Sequence, residues 1–363
     1  MNVSKINNRP VMKKNSIRGI GLSLLLMAVS LSCSNDKKKS GDSSSTSEKI
    51  GIKENPKNLP NSVGKTSELL VVMNEGLWEA SSGDTVRDFF GQQVPRLPQV
   101  EPMFTTPNVN LSALNKRMFK NHRNLFIVDI DESRYNRPYI ETKEDLWSFP
   151  QRVIRINSPH LKGFYRLFEE HQQAFLRLFH ENEIRRLQIT FSQAASIEIR
   201  NMLMENYDVS MVFPDGFFIA KQLKNFAWIR KETRKYGQGL MLRVEPYKDT
   251  SQFTTQAILS RRNTITRSFI PGPTEGSYMI TSDVIPPKVE RTTFKEQFAV
   301  KIRGLWELEN GFLGGPYMSY TFVNENNGKL YTLDSYVYAP GQDKRDKLLQ
   351  MEAIMKSLRF TGD

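Results

Sequence analysis

Cysteine is almost missing: Cys33 is the single one in 363 residues. No internal disulfide can form, and no cysteine cluster can hold zinc. Histidine is scarce as well, with His122, His160, His171 and His180 the complete set. On a shared helix His160 and His171 would lie about 16 Å apart along the axis, and His171 and His180 would face opposite ways. No metal site is expected from them. The chain has no H-E-x-x-H, no phosphate-cradling glycine loop, no G-x-G-x-x-G and no G-x-S-x-G elbow, so no cofactor is expected either. It also lacks an apolar run of about 20 residues, the length a membrane-spanning helix needs. Basic residues form no dense stripe interleaved with aromatics, which argues against a nucleic-acid partner.

What the chain does have begins at its N-terminus. The net charge is +12. Five of those charges, Lys5, Arg9, Lys13, Lys14 and Arg18, precede residue 33, where there is no acid. From Cys33 onward 46 basic residues face 39 acidic ones, a modest +7. Residues 19–31, GIGLSLLLMAVSL, form a short apolar core behind Lys13, Lys14 and Arg18. Small Ser30 and Ser32 then lead into Cys33. This order resembles bacterial lipoprotein precursors, in which the cysteine becomes the first residue and carries acyl chains. With Ser30 three places before the cysteine and Leu31 following it, the box resembles the relaxed ones of Bacteroidota. The resemblance implies a signal peptide over residues 1–32, with Met12 a better start than Met1, and palmitate-type lipidation at Cys33.

Residues 34–60, rich in Ser, Lys, Asp and Glu and without an aromatic, bury too little apolar surface to offset the entropy of ordering. The acylated cysteine and a disordered tether thus occupy 33–58. Ser34 is, by resemblance to Gram-negative lipoproteins, a residue that permits transport to the outer membrane. The sequence leaves open which face of that membrane is used.

The body, residues 59–363, reads as α+β, with a mixed, largely antiparallel sheet, a long helical region in the middle and a C-terminal amphipathic helix. Leu69–Met73, Leu125–Ile130 and Arg152–Ile156 are short apolar runs of strand type. Apolar residues from Phe164 to Phe179 repeat at helical spacing, and a second helix is expected over Glu183–Asn206. From Val209 strands dominate, with a turn expected at Gly237 and Gly239 and a hairpin at Asn326-Asn327-Gly328. Residues 344–358 carry Leu348, Met351, Met355 and Leu358 on one helical face. A division of the body is possible near 206–215.

Several motifs stand in a fixed order: Leu59-Pro-Asn-Ser-Val-Gly64 before the LLVVM run, Ile270-Pro-Gly272, Gly276-Ser-Tyr-Met279, Arg303-Gly-Leu-Trp-Glu307, Gly314-Gly-Pro-Tyr317 and Val337-Tyr-Ala-Pro340. Together they resemble an uncharacterised family of Bacteroidota lipoproteins, a domain of unknown function, from about Leu59 to the C-terminus. The resemblance implies a cell-envelope location and supplies no catalytic residue.

For chemistry, two clusters place an indole near a guanidinium: Trp228 with Arg230, and Arg303 with Trp306 and Glu307. Such groups can stack on sugars or pair with carboxylates and phosphates. Gly314-Gly315-Pro316 could let a ligand approach the backbone closely. Glu307 and Glu309, two apart on a strand, are spaced like a glycosidase pair, although a solvated strand face is the plainer account. The expected function is a non-enzymatic module that binds a ligand, an envelope protein or a glycan beside the outer membrane. The alternative is an envelope hydrolase acting on glycan or peptidoglycan.

Overall fold

The computed structural model describes Asn55 and residues 57–361. The segments expected to be signal peptide and tether, with Cys33, lie outside the described residues except for Asn55, Lys57 and Asn58. The elements in the first part are β1 (Leu70–Val72), α1 (Glu75–Trp78), α2 (Ser81–Phe90), β2 (Asn108–Val109), α3 (Arg117–Lys120), β3 (Asn124–Ile130), β4 (Tyr139–Glu144), β5 (Arg152–Ser158) and α4 (Leu161–Ser192). The strands form one sheet in the order β2-β1-β3-β5-β4. Every pairing is parallel except that of β4 with β5. A parallel sheet covered on both faces needs continuous apolar strands. That is why LLVVM and LFIVDI do not alternate. Leu69, Val71, Phe126, Val128, Ile154 and Ile156 pack on the α4 side, and Leu70, Val72, Leu125, Ile127 and Val153 fill the other face. Phe90, Phe126, Phe168 and Phe179 meet mostly edge to face, with centroids 5.3–6.5 Å apart, the geometry the ring quadrupole favours.

Helix α4 differs from the sequence expectation. It runs unbroken for 32 residues instead of stopping before Glu183. Nothing in HENEIRRLQITF breaks a helix, and the first strong start signal comes only at Ser196. There the hydroxyl accepts from the Ile199 N–H at 3.3 Å and opens α5 (Ile197–Tyr207). Ser196→Ala removes that cap and is expected to cost about 1 kcal/mol in a denaturant titration. A loss below the error of the titration would deny the cap its role.

The second part continues with β6 (Val209–Ser210), β7 (Phe218–Leu223), β8 (Phe226–Glu232), β9 (Gly237–Pro246), α6 (Thr255–Phe269), β10 (Tyr278–Thr281), β11 (Lys288–Phe294), β12 (Gln297–Glu309), β13 (Gly314–Asn324), β14 (Lys329–Tyr338), α7 (Arg345–Lys356) and β15 (Arg359–Phe360). Eight strands build an antiparallel sheet, β10-β12-β13-β14-β9-β8-β7, with β11 beside β10 on the free edge of long β12. Helices α5 and α7 cover one face and α6 the other. Gly237 and Gly239 prove to lie inside β9, and the turn sits just before them. The hairpin at Asn326–Gly328 is present, but its loop spans four residues, since Asn324 pairs with Lys329. Only Gly328 in that loop takes a positive φ, +64°.

The α+β reading therefore holds, with one sheet mostly parallel and the larger one antiparallel. Among the described residues, no helix is long and apolar enough to cross a membrane. The two parts meet where α4 packs on α7. Gln188 donates to the Ala353 carbonyl at 3.0 Å. Glu101, from the proline-rich segment, accepts from the Lys344 and Arg345 N–H groups at 2.8 Å each. It thereby satisfies the first turn of α7 and places a negative charge at its positive end.

Candidate functional site

The α4–α7 junction opens into a cavity of about 410 Å³, within the range of small-molecule sites. Its floor is β12, whose side chains alternate across the sheet. Lys301 and Arg303 point into the cavity, while Val300, Ile302 and Trp306 point the opposite way, into the core under α6. Helix α7 contributes Leu348, Leu349 and Glu352. Helix α4 contributes Leu176, Arg177, His180 and Glu183, and the preceding loops add Val94, Pro95, Met103 and Phe104.

Glu352 organises the floor. Its side chain keeps 1% of its exposure, and both oxygens are saturated. Oε1 accepts from the Lys301 Nζ at 2.6 Å and from the Tyr320 hydroxyl at 2.8 Å. Oε2 lies 3.1 Å from the His180 Nε2 and accepts from Arg303 at 3.3 Å. Burial alone would raise this carboxyl, but the charges of Lys301, His180 and Arg303 hold it well below the usual carboxylate range. Burial, with Arg303 nearby, pushes the Lys301 ammonium down to about 8 against the pull of Glu352. The Tyr320 hydroxyl is driven well above 10 by burial and then by Glu352.

The other acids on the wall are committed elsewhere. Glu183 accepts from Arg123, Asn124 and the Ser67 N–H at 2.7–3.0 Å. Glu290 pairs with Lys288 at 2.6 Å. Arg177 and Lys356 line the cavity without an ion-pair partner among the described residues. The lining is therefore net positive over an apolar wall.

The residues singled out from sequence do not form one site. The Trp228 indole is buried and donates to the Tyr336 hydroxyl at 3.1 Å. Trp306 is buried in the same core, where it packs edge-on against Tyr336 and donates to the Val337 carbonyl at 3.1 Å. Trp306 does not line this cavity, and Trp228 borders a different one, with Lys221, Arg267 and Tyr278, away from Arg303. Arg230 lies over the Trp228 ring at 4.7 Å and pairs with Glu232. Arg303 alone among them enters the cavity. Glu307 accepts from the Ser282 hydroxyl at 2.8 Å, and neither it nor Glu309 lines the cavity. The close approach predicted at Gly315 is to the protein itself. A Cβ there would fall 2.1 Å from the Val337 carbonyl oxygen.

Sequence reasoning missed Lys301, Tyr320, Glu352 and His180. One signal was present: Glu352 interrupts the apolar face of α7, one residue after Met351 and three before Met355. Among the described residues, no group of three or more His, Cys, Asp and Glu could hold a metal ion.

Comparison with known proteins adds families without an activity. Residues 62–192 match the family described as Domain of unknown function (DUF8532), and residues 196–357 match Domain of unknown function (DUF4837). No curated protein matches the chain. Among solved structures, the Saccharomyces cerevisiae Ran-binding protein Mog1p is 8% identical, with 42% of this chain and 90% of that chain covered at a TM-score of 0.30. A Bacteroides thetaiotaomicron protein is 9% identical over 42% of this chain and 45% of its own, at a TM-score of 0.24. The human StarD13 lipid transfer and protein localization domain is 10% identical over 39% and 88%, at a TM-score of 0.20. None of these overlays is close enough to establish a shared fold. The two family matches part between residues 192 and 196, where α4 ends and Ser196 caps α5. The two matches, to DUF8532 and then DUF4837, together span residues 62–357, and the cavity is lined by residues from both matched segments.

Proposed function

We propose that the protein is a cell-envelope lipoprotein held at the outer membrane by acyl chains on Cys33, and that its body is a non-enzymatic binding module. The cavity between α4, α7 and β12 is the binding site. One observation carries the binding part: a ligand-sized cavity whose partly buried Lys301 and Arg303 are fixed in place by the buried Glu352. Preorganised polar groups inside an apolar wall are what small-molecule sites use. The anchoring part rests on the run of charge, apolar core and small residues before Cys33. A glycan hydrolase built on Glu307 and Glu309 has no comparable support, because those carboxylates lie outside the cavity and Glu307 is engaged by Ser282.

Growth with labelled palmitate tests the anchor. The native chain should take up label and fractionate with the outer membrane, and Cys33→Ala should lose both properties. Label that persists on the alanine variant would refute the anchor.

A further inference from the structure

Three observations at the floor of the cavity bear on what it holds. The first is a surplus of donors. The Glu352 carboxylate has about four acceptor positions, and Lys301, Tyr320, His180 and Arg303 already occupy them. The Lys301 ammonium has three donors and the Arg303 guanidinium five, yet each gives a single hydrogen bond to Glu352. Glu290, directly across from Lys301 in the β11–β12 register, turns its carboxylate to Lys288. Two cations therefore share the saturated Glu352, with Glu290 hydrogen-bonded to Lys288 rather than to either of them, and open donors are left facing the cavity.

The second observation is the wall above them. Phe104, Met318, Leu348 and Leu349 present apolar surface to the same space. The third is size. About 410 Å³ holds roughly a dozen non-hydrogen atoms at about 30 Å³ each, the share a water takes in the liquid.

Taking the cavity as the binding site, as proposed above, the geometry points to an organic anion with a compact apolar body as its ligand. The carboxylate or phosphate group sits on Lys301 and Arg303, and the hydrocarbon lies against Phe104, Met318, Leu348 and Leu349. An acceptor-only group complements a donor-rich floor, and charge-assisted hydrogen bonds of this kind are about twice as strong as neutral ones. A cationic or neutral ligand leaves the spare donors desolvated and unpaired. Arg177 and Lys356 add attraction for the same charge.

Calorimetric titration of the full chain in detergent tests this with 4-phenylbutyrate and phenyl phosphate as anions. 4-Phenylbutyramide and 4-phenylbutylamine serve as neutral and cationic matches. At least one anion should bind ten times more tightly than the amide or the amine, and whichever anion binds better identifies the head group. Lys301→Met and Arg303→Gln should each weaken the anion at least tenfold and leave the amide unchanged. The wild-type comparison of anion with amide stands even if a variant fails to fold. Amide binding equal to or tighter than that of both anions overturns the anion and spares the cavity as a binding site. No binding by any of the four overturns both.

Discussion

Replacing Glu352 with alanine is expected to lower stability by about 3–5 kcal/mol at pH 7, because it leaves the partly buried Lys301 and Arg303 beside each other without their buried counter-charge. In a body of this size that corresponds to a fall in Tm on the order of 10 °C. The loss should come mainly from the orphaned cations and only in small part from the attraction itself. The double variant Lys301→Met, Glu352→Met should therefore melt closer to the native chain than Glu352→Ala does. The pH dependence has a definite sign. The folded carboxyl lies well below its unfolded value of 4.5, so its contribution is complete above pH 4.5 and disappears as the pH falls below that. Melting curves of native and variant chains should differ fully at pH 7 and converge in stronger acid. A difference under about 1 kcal/mol at pH 7 would mean that the cluster does not hold α4, α7 and β12 together.

Arg262→Leu is expected to have a comparable effect on the opposite face of the large sheet. Arg262, on α6, is buried, donates to Asp334 of β14 at 2.9 Å and lies 3.9 Å over the Tyr317 ring. The other carboxylate oxygen of Asp334 has no partner. Burial pushes this carboxyl up to about 6 although Arg262 pulls it down. A raised folded pKa contributes stability that is present below about 3.8 and lost as pH rises through 6. The wild-type loss across that window is on the order of 3 kcal/mol. Without Arg262 the carboxyl rises further and its penalty extends to higher pH. The variant should cost about 3–5 kcal/mol at pH 8 and distinctly less at pH 5. Arg262→Leu combined with Asp334→Leu should recover much of the loss and flatten the profile. Equal losses at both pH values would show that packing, and not the buried charge, explains the effect.

Both clusters show where reading a sequence succeeds and where it stops. The buried strands β1, β3 and β5 were legible because a parallel sheet covered on both faces writes itself as unbroken apolar runs. Edge strands β4, YIETKE, and β11, KVERTTF, carry mostly exposed side chains, and no hydrophobic pattern marks them. The helix break at Ser196 was expected too early, at Glu183, because the apolar stripe thins after Phe179, and the Ser196 cap was not read from the sequence. The Arg303–Trp306 cluster failed for a geometric reason. Neighbours three apart on a strand face opposite sides, so the motif that looks compact in sequence is divided by the sheet. The true companions of Arg303 are Glu352 and His180, brought to it by tertiary packing, and no local spacing encodes that meeting.

The contacts across the α4–α7 junction also bear on how the two halves can be exchanged. Glu101 and His180, within the segment matched to one family, complete a helix end and a carboxylate belonging to the other. Recombination that joined one half to a foreign counterpart would assemble a chimera with a bare helix terminus and an imbalanced charge cluster. The two halves thus complete each other's polar groups across the 193–195 connector, and neither half alone supplies the full set.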